Sequence, residues 1–335
     1  MRKIWDKVEA KTTVIAFLLL LVLVTIFLND TNFFTIANMN NILLKAARNG
    51  GLLAIGMTFV ILTSEIDLSV GAVYAISGVV AGLLGEYNQL LGLVGGVMVG
   101  VISGAILGFL VTKLKISSWV ASLAVSFGLR GLILVISRSS VTLKGDLINF
   151  TKINLFKDMI PGLPNGVSLL IIIFFAITAL CMVVAKYTKF GVQLYSIGGN
   201  RQGAKMMGIN TEKRIIQAFI MCGGIAALSG VLLASHSGSA SLSAGNSYET
   251  FAIAMCAIGG IKLSGGEGHF TGTFLGILIY FMINTIFTYI PSLTTHWQNV
   301  IMGILVLVSV AVQSDRLKNM LGVVFSGKKI KATTN

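Results

Sequence analysis

The feature that most limits what this chain can fold into is a succession of apolar runs, each about as long as a bilayer is thick and almost free of charge. A hydrocarbon core about 30 Å across takes roughly 20 mostly apolar residues as an α-helix. Hydrophobic residues make up 55% of the 335 and charged residues 11%, too few to cover a soluble surface. Backbone N–H and C=O groups cannot stay unpaired in lipid, so the runs must be helices; the two-residue alternation of barrel strands is absent. The expected fold class is therefore all-α integral membrane, with about ten transmembrane helices. They are placed at 12–28, 41–63, 68–84, 91–111, 117–138, 166–185, 214–235, 247–261, 269–288 and 296–313. This divides the chain into an N-terminal segment 1–11, a transmembrane domain 12–313 and a tail 314–335. The first run follows a basic segment, as a signal peptide would, but Asn29-Asp30-Thr31-Asn32 offers no small-residue cleavage site, so it is expected to be retained. Lys45 and Arg48 turn the start of the second run toward the interface or protein rather than lipid.

A net charge of +13 invites a nucleic-acid partner, but the placement of the basic residues argues for membrane orientation and against nucleic acid. With the N-terminus inside, 18 of the 25 Lys and Arg residues fall in inner segments and 3 in outer ones. Both termini are thus expected in the cytoplasm, with the polar, basic end of the tail against lipid head groups. Cys181, Cys222 and Cys256 fall in three separate expected helices, with no CxxC pair and no clustered His. Neither a disulfide framework nor a metal site is indicated. They read as small buried residues.

Gly96, Gly100, Gly104 and Gly108 recur every fourth residue, as do Gly268, Gly272 and Gly276. Such stripes let helix backbones approach closely, which is how bundles hold together in lipid. Three polar features are harder to assign to packing. In Thr63-Ser64-Glu65-Ile66-Asp67-Leu68-Ser69-Val70-Gly71, two carboxylates interrupt an apolar stretch. A charge at a helix centre costs about 2.5–3.5 kcal/mol on insertion scales, so they must face water, protein or a partner. Either this is a short cytoplasmic turn with Asp67 capping the next helix, or a broken helix lining a solute path. A related break, Gly259 to Gly268, repeats the Leu-Ser-x-Gly core of Asp67 to Gly71 at Lys262 to Gly266. Its glycines allow sharp turns or positive φ.

The third feature lies in the inner loop 186–214. Asn200 is a good N-cap, Arg201 to Met207 supplies about two turns and Gly208 is a natural C′ residue, leaving Ala204 and Met207 as a small apolar face. A short capped helix of this kind suits docking into another protein. Arg130 lies too deep in the fifth expected span to snorkel easily, and is expected to orient a solute or to pair with Glu65 or Glu249. No catalytic residues are expected: the phosphate-loop pattern is missing, and His236, His269 and His296 lie on separate segments.

Ile66-Asp67-Leu68-Ser69-Val70-Gly71, Ser196-Ile197-Gly198-Gly199-Asn200 with Ala204-Lys205 and Gly208-Ile209-Asn210, and Ala257-Ile258-Gly259-Gly260 through Ser264-Gly265-Gly266 closely resemble the permeases of bacterial ribose and galactoside ABC importers. The motifs keep that family's order and spacing, and the similarity runs from about residue 35 to residue 315. Glu65 stands where the family usually has Gly, and Thr250-Phe251 where Leu-Asp is common. The resemblance implies a multi-pass protein of the bacterial cell (inner) membrane and a dimer with a second permease subunit, the same chain or a homologue. Its partners would be cytoplasmic ATPase subunits that bind ATP-Mg, and an extracellular or periplasmic solute-binding protein; no cofactor is expected on this chain itself. It casts Gly199, Asn200, Gly203, Ala204, Lys205, Met207 and Gly208 as the element that couples to the ATPase. Glu65, Asp67, Ser69, Arg130 and Glu249 are the candidates for the path of a monosaccharide or similar polar solute. The alternative is an ion- or proton-coupled secondary transporter in which Glu65, Asp67 or Glu249 titrates.

Overall fold

The computed structural model describes residues 32–143, 153–155 and 166–289, with isolated helical positions between 297 and 311. The expected helix at 12–28, the segments 1–11 and 314–335 and most of 296–313 lie outside the described residues. In chain order the helices are α1 Ile36–Arg48, α2 Gly51–Ile61, α3 Val70–Gly85, α4 Gln89–Thr112, α5 Ser118–Ile136, α6 Leu169–Tyr187, α7 Lys189–Gly199, α8 Arg201–Met206, α9 Thr211–Ser237, α10 Tyr248–Ile258 and α11 Phe270–Tyr289. Two antiparallel pairs of two-residue strands join them: β1 (Val141–Thr142) with β4 (Ser239–Ala240), and β2 (Asn154–Leu155) with β3 (Val167–Ser168).

Five helices, α4, α5, α6, α9 and α11, are long and apolar enough to cross a bilayer. They match the expected spans at 91–111, 117–138, 166–185, 214–235 and 269–288. Local chemistry sets their ends. Asn88 Oδ1 accepts from the amides of Leu90 and Leu91 at 2.8 and 3.3 Å, and Asn210 Oδ1 from that of Lys213 at 3.0 Å. Each satisfies donors that a helix start leaves orphaned. α9 stops at Gly238, whose φ of 70° is the left-handed turn that commonly ends helices.

The expected helix at 41–63 is instead two helices. Asn49 donates back to the Lys45 carbonyl at 2.9 Å and Gly50 takes φ 97° before α2 begins. Glycine is required there on two counts: the left-handed φ, and the ring of Tyr248, whose Cδ2 a Cβ on Gly50 would meet at 2.9 Å. The expected span at 247–261 shrinks to α10, whose 11 residues reach roughly 16 Å, and 68–84 becomes α3, whose 16 residues reach roughly 24 Å. Neither crosses a core of about 30 Å alone.

The glycine stripe on α4 forms the main seam with the antiparallel α9. Gly96 faces Val231, Gly100 faces Gly223 and Ala227, Gly104 faces Phe219, and Gly108 faces Ile216, so both backbones run at contact distance. On α11, Gly272 and Gly276 lie against the carbonyls of Gly259 and Met255 of α10, whereas Gly268 precedes the helix at φ 122°. α2 sits at the centre with every residue from Gly51 to Ile61 buried. α5 is on the outside: Trp119, Phe127, Leu134 and Val135 are exposed, an apolar surface suited to lipid tails. The three cysteines are free and buried, as expected. Lys113, Lys115, Arg201, Lys205 and Lys213 gather on the turns at one end of the α4–α9 seam, where Lys113 Nζ pairs with Glu212 Oε2 at 2.6 Å. This end is the basic face.

Candidate solute path and coupling site

The short capped helix is present at the basic face. Asn200 Oδ1 accepts from the Gly203 amide at 2.8 Å, and Gly208 takes φ 81° after the last turn. Gly199 and Lys205 are exposed, and Gly203 packs against the Asn200 side chain. The expected apolar face needs correction, because Ala204 is fully buried within the chain. Met206 at 85% and Met207 at 71% exposure form the free apolar surface instead. The two-turn helix turns its small side to its own subunit, since only a methyl fits beneath it.

The three motifs separated in sequence converge just inside this helix. Ser64, at φ 66°, donates its hydroxyl to the Ser264 carbonyl at 2.7 Å and the Gly198 carbonyl at 3.2 Å. The Gly266 amide donates to the Leu62 carbonyl at 3.1 Å. A Cβ on Gly265 would meet Ser64 N at 2.6 Å, so this close approach requires glycine there, at φ 84°. The bend after α2, the hinge before α8 and the bend after α10 thus form one backbone knot. Beside it, a cleft of about 380 Å3 is lined by Glu65, Lys115, Ser118, Arg201, Lys205 and Glu212.

Glu65 does not meet Arg130. Its Oε1 accepts from Arg201 Nη1 at 3.0 Å, tying it to the short helix. Asp67 is buried, its Oδ1 accepting from the Ser69 amide at 2.8 Å and the Ser69 hydroxyl at 2.6 Å. Ser69, not Asp67, is the capping residue of α3, and the carboxylate favours that positive helix end. Asp67 also lies beside the Cys222 thiol, three turns into α9. The second break is therefore set into the bundle rather than being a surface turn.

A second polar cluster lies at half depth, where α1, α2, α3 and α10 all have ends. The α1–α2 break is roughly 20 Å along α1 from Ile36 and roughly 17 Å along α2 from Ile61. Tyr74 donates its hydroxyl to the Arg48 carbonyl at 2.6 Å, and its ring packs tilted at 46° against that of Tyr248, with 5.3 Å between centroids. Lys45 Nζ donates to Thr285 Oγ1 at 3.3 Å. Gly71 abuts the Glu249 carboxylate and the Gly245 carbonyl, so any side chain there would fill the gap between α3 and α10. Arg130 Nη1 donates to the carbonyls of Ala244 and Leu242 at 2.8 and 3.5 Å, pinning the segment that leads into α10. Asn246, Ser247 and Thr250 are exposed on that segment. The structure thus brings Glu249 together with Gly71 and Arg48 with Tyr74 and Tyr248, and sets Glu65 apart at the basic face. Lys45, Arg48, Tyr74 and Tyr248 were not among the expected path residues; the polar Lys-x-x-Arg-Asn-Gly interruption was their only signal.

Comparison with known proteins completes the assignment. Residues 38–310 match the family described as branched-chain amino acid transport system / permease component. The chain belongs to this family: it is a multi-pass permease subunit of an importer. The ribose import permease protein RbsC of Escherichia coli K12 is 33% identical over 307 residues, covering 91% of this chain and 93% of its own. RbsC of Bacillus subtilis 168 is 35% identical over 305 residues, 90% and 91% of the two chains. The D-allose transport system permease protein AlsC of Escherichia coli K12 is 34% identical over 319 residues, 93% and 92% of the two. No solved structure matches the chain.

Proposed function

We propose that this chain is the solute-conducting permease of an ATP-driven importer in the bacterial inner membrane, and that its cargo is a monosaccharide or similar hydroxyl-rich solute. The observation that carries the reading is the vertical pairing of two sites: a half-depth cluster of broken helices, and beneath it a backbone knot joined to the exposed Met206–Met207 helix. Broken helices supply polar backbone and side chains where an unbroken helix would present only apolar groups. In this reading the subunit has ten helices with both termini on the basic, cytoplasmic face, and works as a dimer with itself or a homologue. A solute-binding protein delivers cargo to the opposite face. The ATPase subunits, which carry ATP-Mg, receive Met206 and Met207 in a groove. Their closure tilts α8 about the knot at its root, the motion reaches α3 and α10, and the gap beside Gly71 and Glu249 opens to alternate sides.

The test is uptake of radiolabelled ribose and allose into proteoliposomes holding this chain with its ATPase and binding protein. Uptake of either sugar that requires ATP supports the proposal. Uptake by this chain alone, driven by an ion gradient, overturns it in favour of a secondary transporter.

A further inference from the structure

We propose that the Glu65–Arg201 ion pair is a transmission strut that makes the α3 end of the solute path follow the coupling helix; this rests on the coupling role given to α8 above. Among the described residues it is the one ion pair or side-chain hydrogen bond between α8 and the bend that precedes α3. Its two ends differ in burial. The Arg201 side chain is 44% exposed, on the surface an ATPase would press, whereas that of Glu65 is 11% exposed. Parting a partly enclosed pair leaves the less exposed charge without its counterion, which costs more than the pair itself gains. The pair therefore draws Glu65 along with Arg201.

The bend behind it is short. Ile66 to Ser69 lead directly into α3 at Val70, and the next residue, Gly71, is the one packed against Glu249 and Gly245. The Asp67 carboxylate accepts from the Ser69 amide and hydroxyl, which stiffens the few residues between Glu65 and α3, and the Ile66 amide donates to Ser118 Oγ of α5 at 3.2 Å, a fixed point about which the bend can turn. The knot of Ser64, Gly198 and Gly266 supplies the pivot: it joins the hinge before α8 to the bend through backbone carbonyls, which fix position but give the helix no lever arm. Lys115 and Lys205 also line the cleft, and Lys113 is held by Glu212, so two further cations are available to Glu65 only if the side chains rearrange. Geometry places Arg201 in that role at rest.

The experiment uses the complete permease–ATPase complex in nanodiscs, spin-labelled at Ile36→Cys and Tyr87→Cys, the exposed ends of α1 and the α3–α4 turn; the native cysteines are buried. Distances are measured by pulsed electron resonance without nucleotide and after trapping with ATP and vanadate. With the native pair, trapping shifts the distance distribution. Glu65→Gln retains ATPase co-purification and ATP hydrolysis within about twofold, while the population shifted by trapping falls about tenfold; Arg201→Gln lowers that population to the same extent. The charge-swapped Glu65→Arg/Arg201→Glu protein recovers at least half of it. A Glu65→Gln complex that shifts as the native one does, or a swapped pair no better than the single changes, refutes the strut while leaving the coupling reading intact. Absence of any shift in the native complex, or failure to retain the ATPase, refutes the coupling reading and the strut with it.

Discussion

Replacing Gly100 by alanine tests whether the α4–α9 seam is set by backbone contact. Ordinary carbon contacts begin at 3.4 Å, and a Cβ at Gly108 would already meet Ile216 Cα at 2.8 Å; at Gly100 it would intrude further, on the Gly223 carbonyl and the Ala227 methyl. The intruded atom is backbone, so no rotamer change relieves it and the helices must part by about 1 Å. Overpacking of this kind costs about 1–3 kcal/mol, and Gly100, which meets backbone, belongs at the upper end. Better helix propensity returns about 0.5–1 kcal/mol. The net expectation is a loss of about 2 kcal/mol. Gly128→Ala on α5 is the control, since nothing lies within 4 Å of a Cβ there, and it should gain about 0.5–1 kcal/mol from propensity alone. Unfolding in mixed micelles titrated with SDS, followed by circular dichroism, reads both. The reasoning is refuted if the two variants shift in the same direction, or if Gly100→Ala shifts by less than about 0.5 kcal/mol against an experimental precision of that order.

Four further outcomes are expected. Met206→Glu/Met207→Glu should leave the permease folded but lower ATPase co-purification at least tenfold, whereas Ala204→Glu, at a fully buried position, should lower the yield of folded protein on size-exclusion chromatography. Gly71→Leu should abolish uptake with the ATPase still bound, because its side chain would occupy the space of the Glu249 carboxylate; uptake within twofold of native would exclude that gap from the path. Arg130→Met should strip the Ala244 carbonyl of its donor, costing about 1–3 kcal/mol and making residues 241–247 more open to protease. Asn200→Ala should weaken the start of α8 by about 1 kcal/mol, seen as roughly fivefold faster hydrogen exchange at the Gly203 amide.

What was legible in the sequence was whatever depends on neighbours along the chain. The five long spans follow from hydropathy, the α4 stripe from spacing in fours, and the Asn200 and Gly208 caps of α8 from residue type. The unread parts depend on contacts between distant segments. Lys45, Arg48 and Asn49-Gly50 mark a polar interruption, but nothing near Gly50 announces that the Tyr248 ring will lie against it, so hydropathy reads the two helices as one. Two turns of helix contain too few residues to say which side is buried, so Ala204 was assigned outward when it packs inward. Glu65 and Arg201 carry opposite charges 136 positions apart, and only the fold pairs them. Arg130 reads from the sequence as a partner for solute or for an acid; its hydrogen bonds go to backbone carbonyls of Leu242 and Ala244, which residue type cannot reveal, with Glu249 close enough to act on it by charge.

The half-depth cluster carries a consequence for the membrane's electrical seal. Lys45 and Arg48 form no ion pair with any acid among the described residues, and Arg130 is spent on carbonyls. Against Lys45, Arg48 and Arg130 the nearby acids among the described residues are Glu249 and the buried Asp67, so a solute path through this cluster would be electropositive in a medium of low polarisability. A proton or sodium ion entering it meets repulsion in addition to the cost of dehydration, while an uncharged, hydroxyl-bearing molecule meets no such repulsion and recovers part of its smaller dehydration cost from polar groups of the cluster. Each elementary charge that leaks across dissipates about 2.3 kcal/mol per 100 mV. The same cations that interrupt the apolar sequence at residues 45 and 48 would therefore let cargo through without discharging the cell.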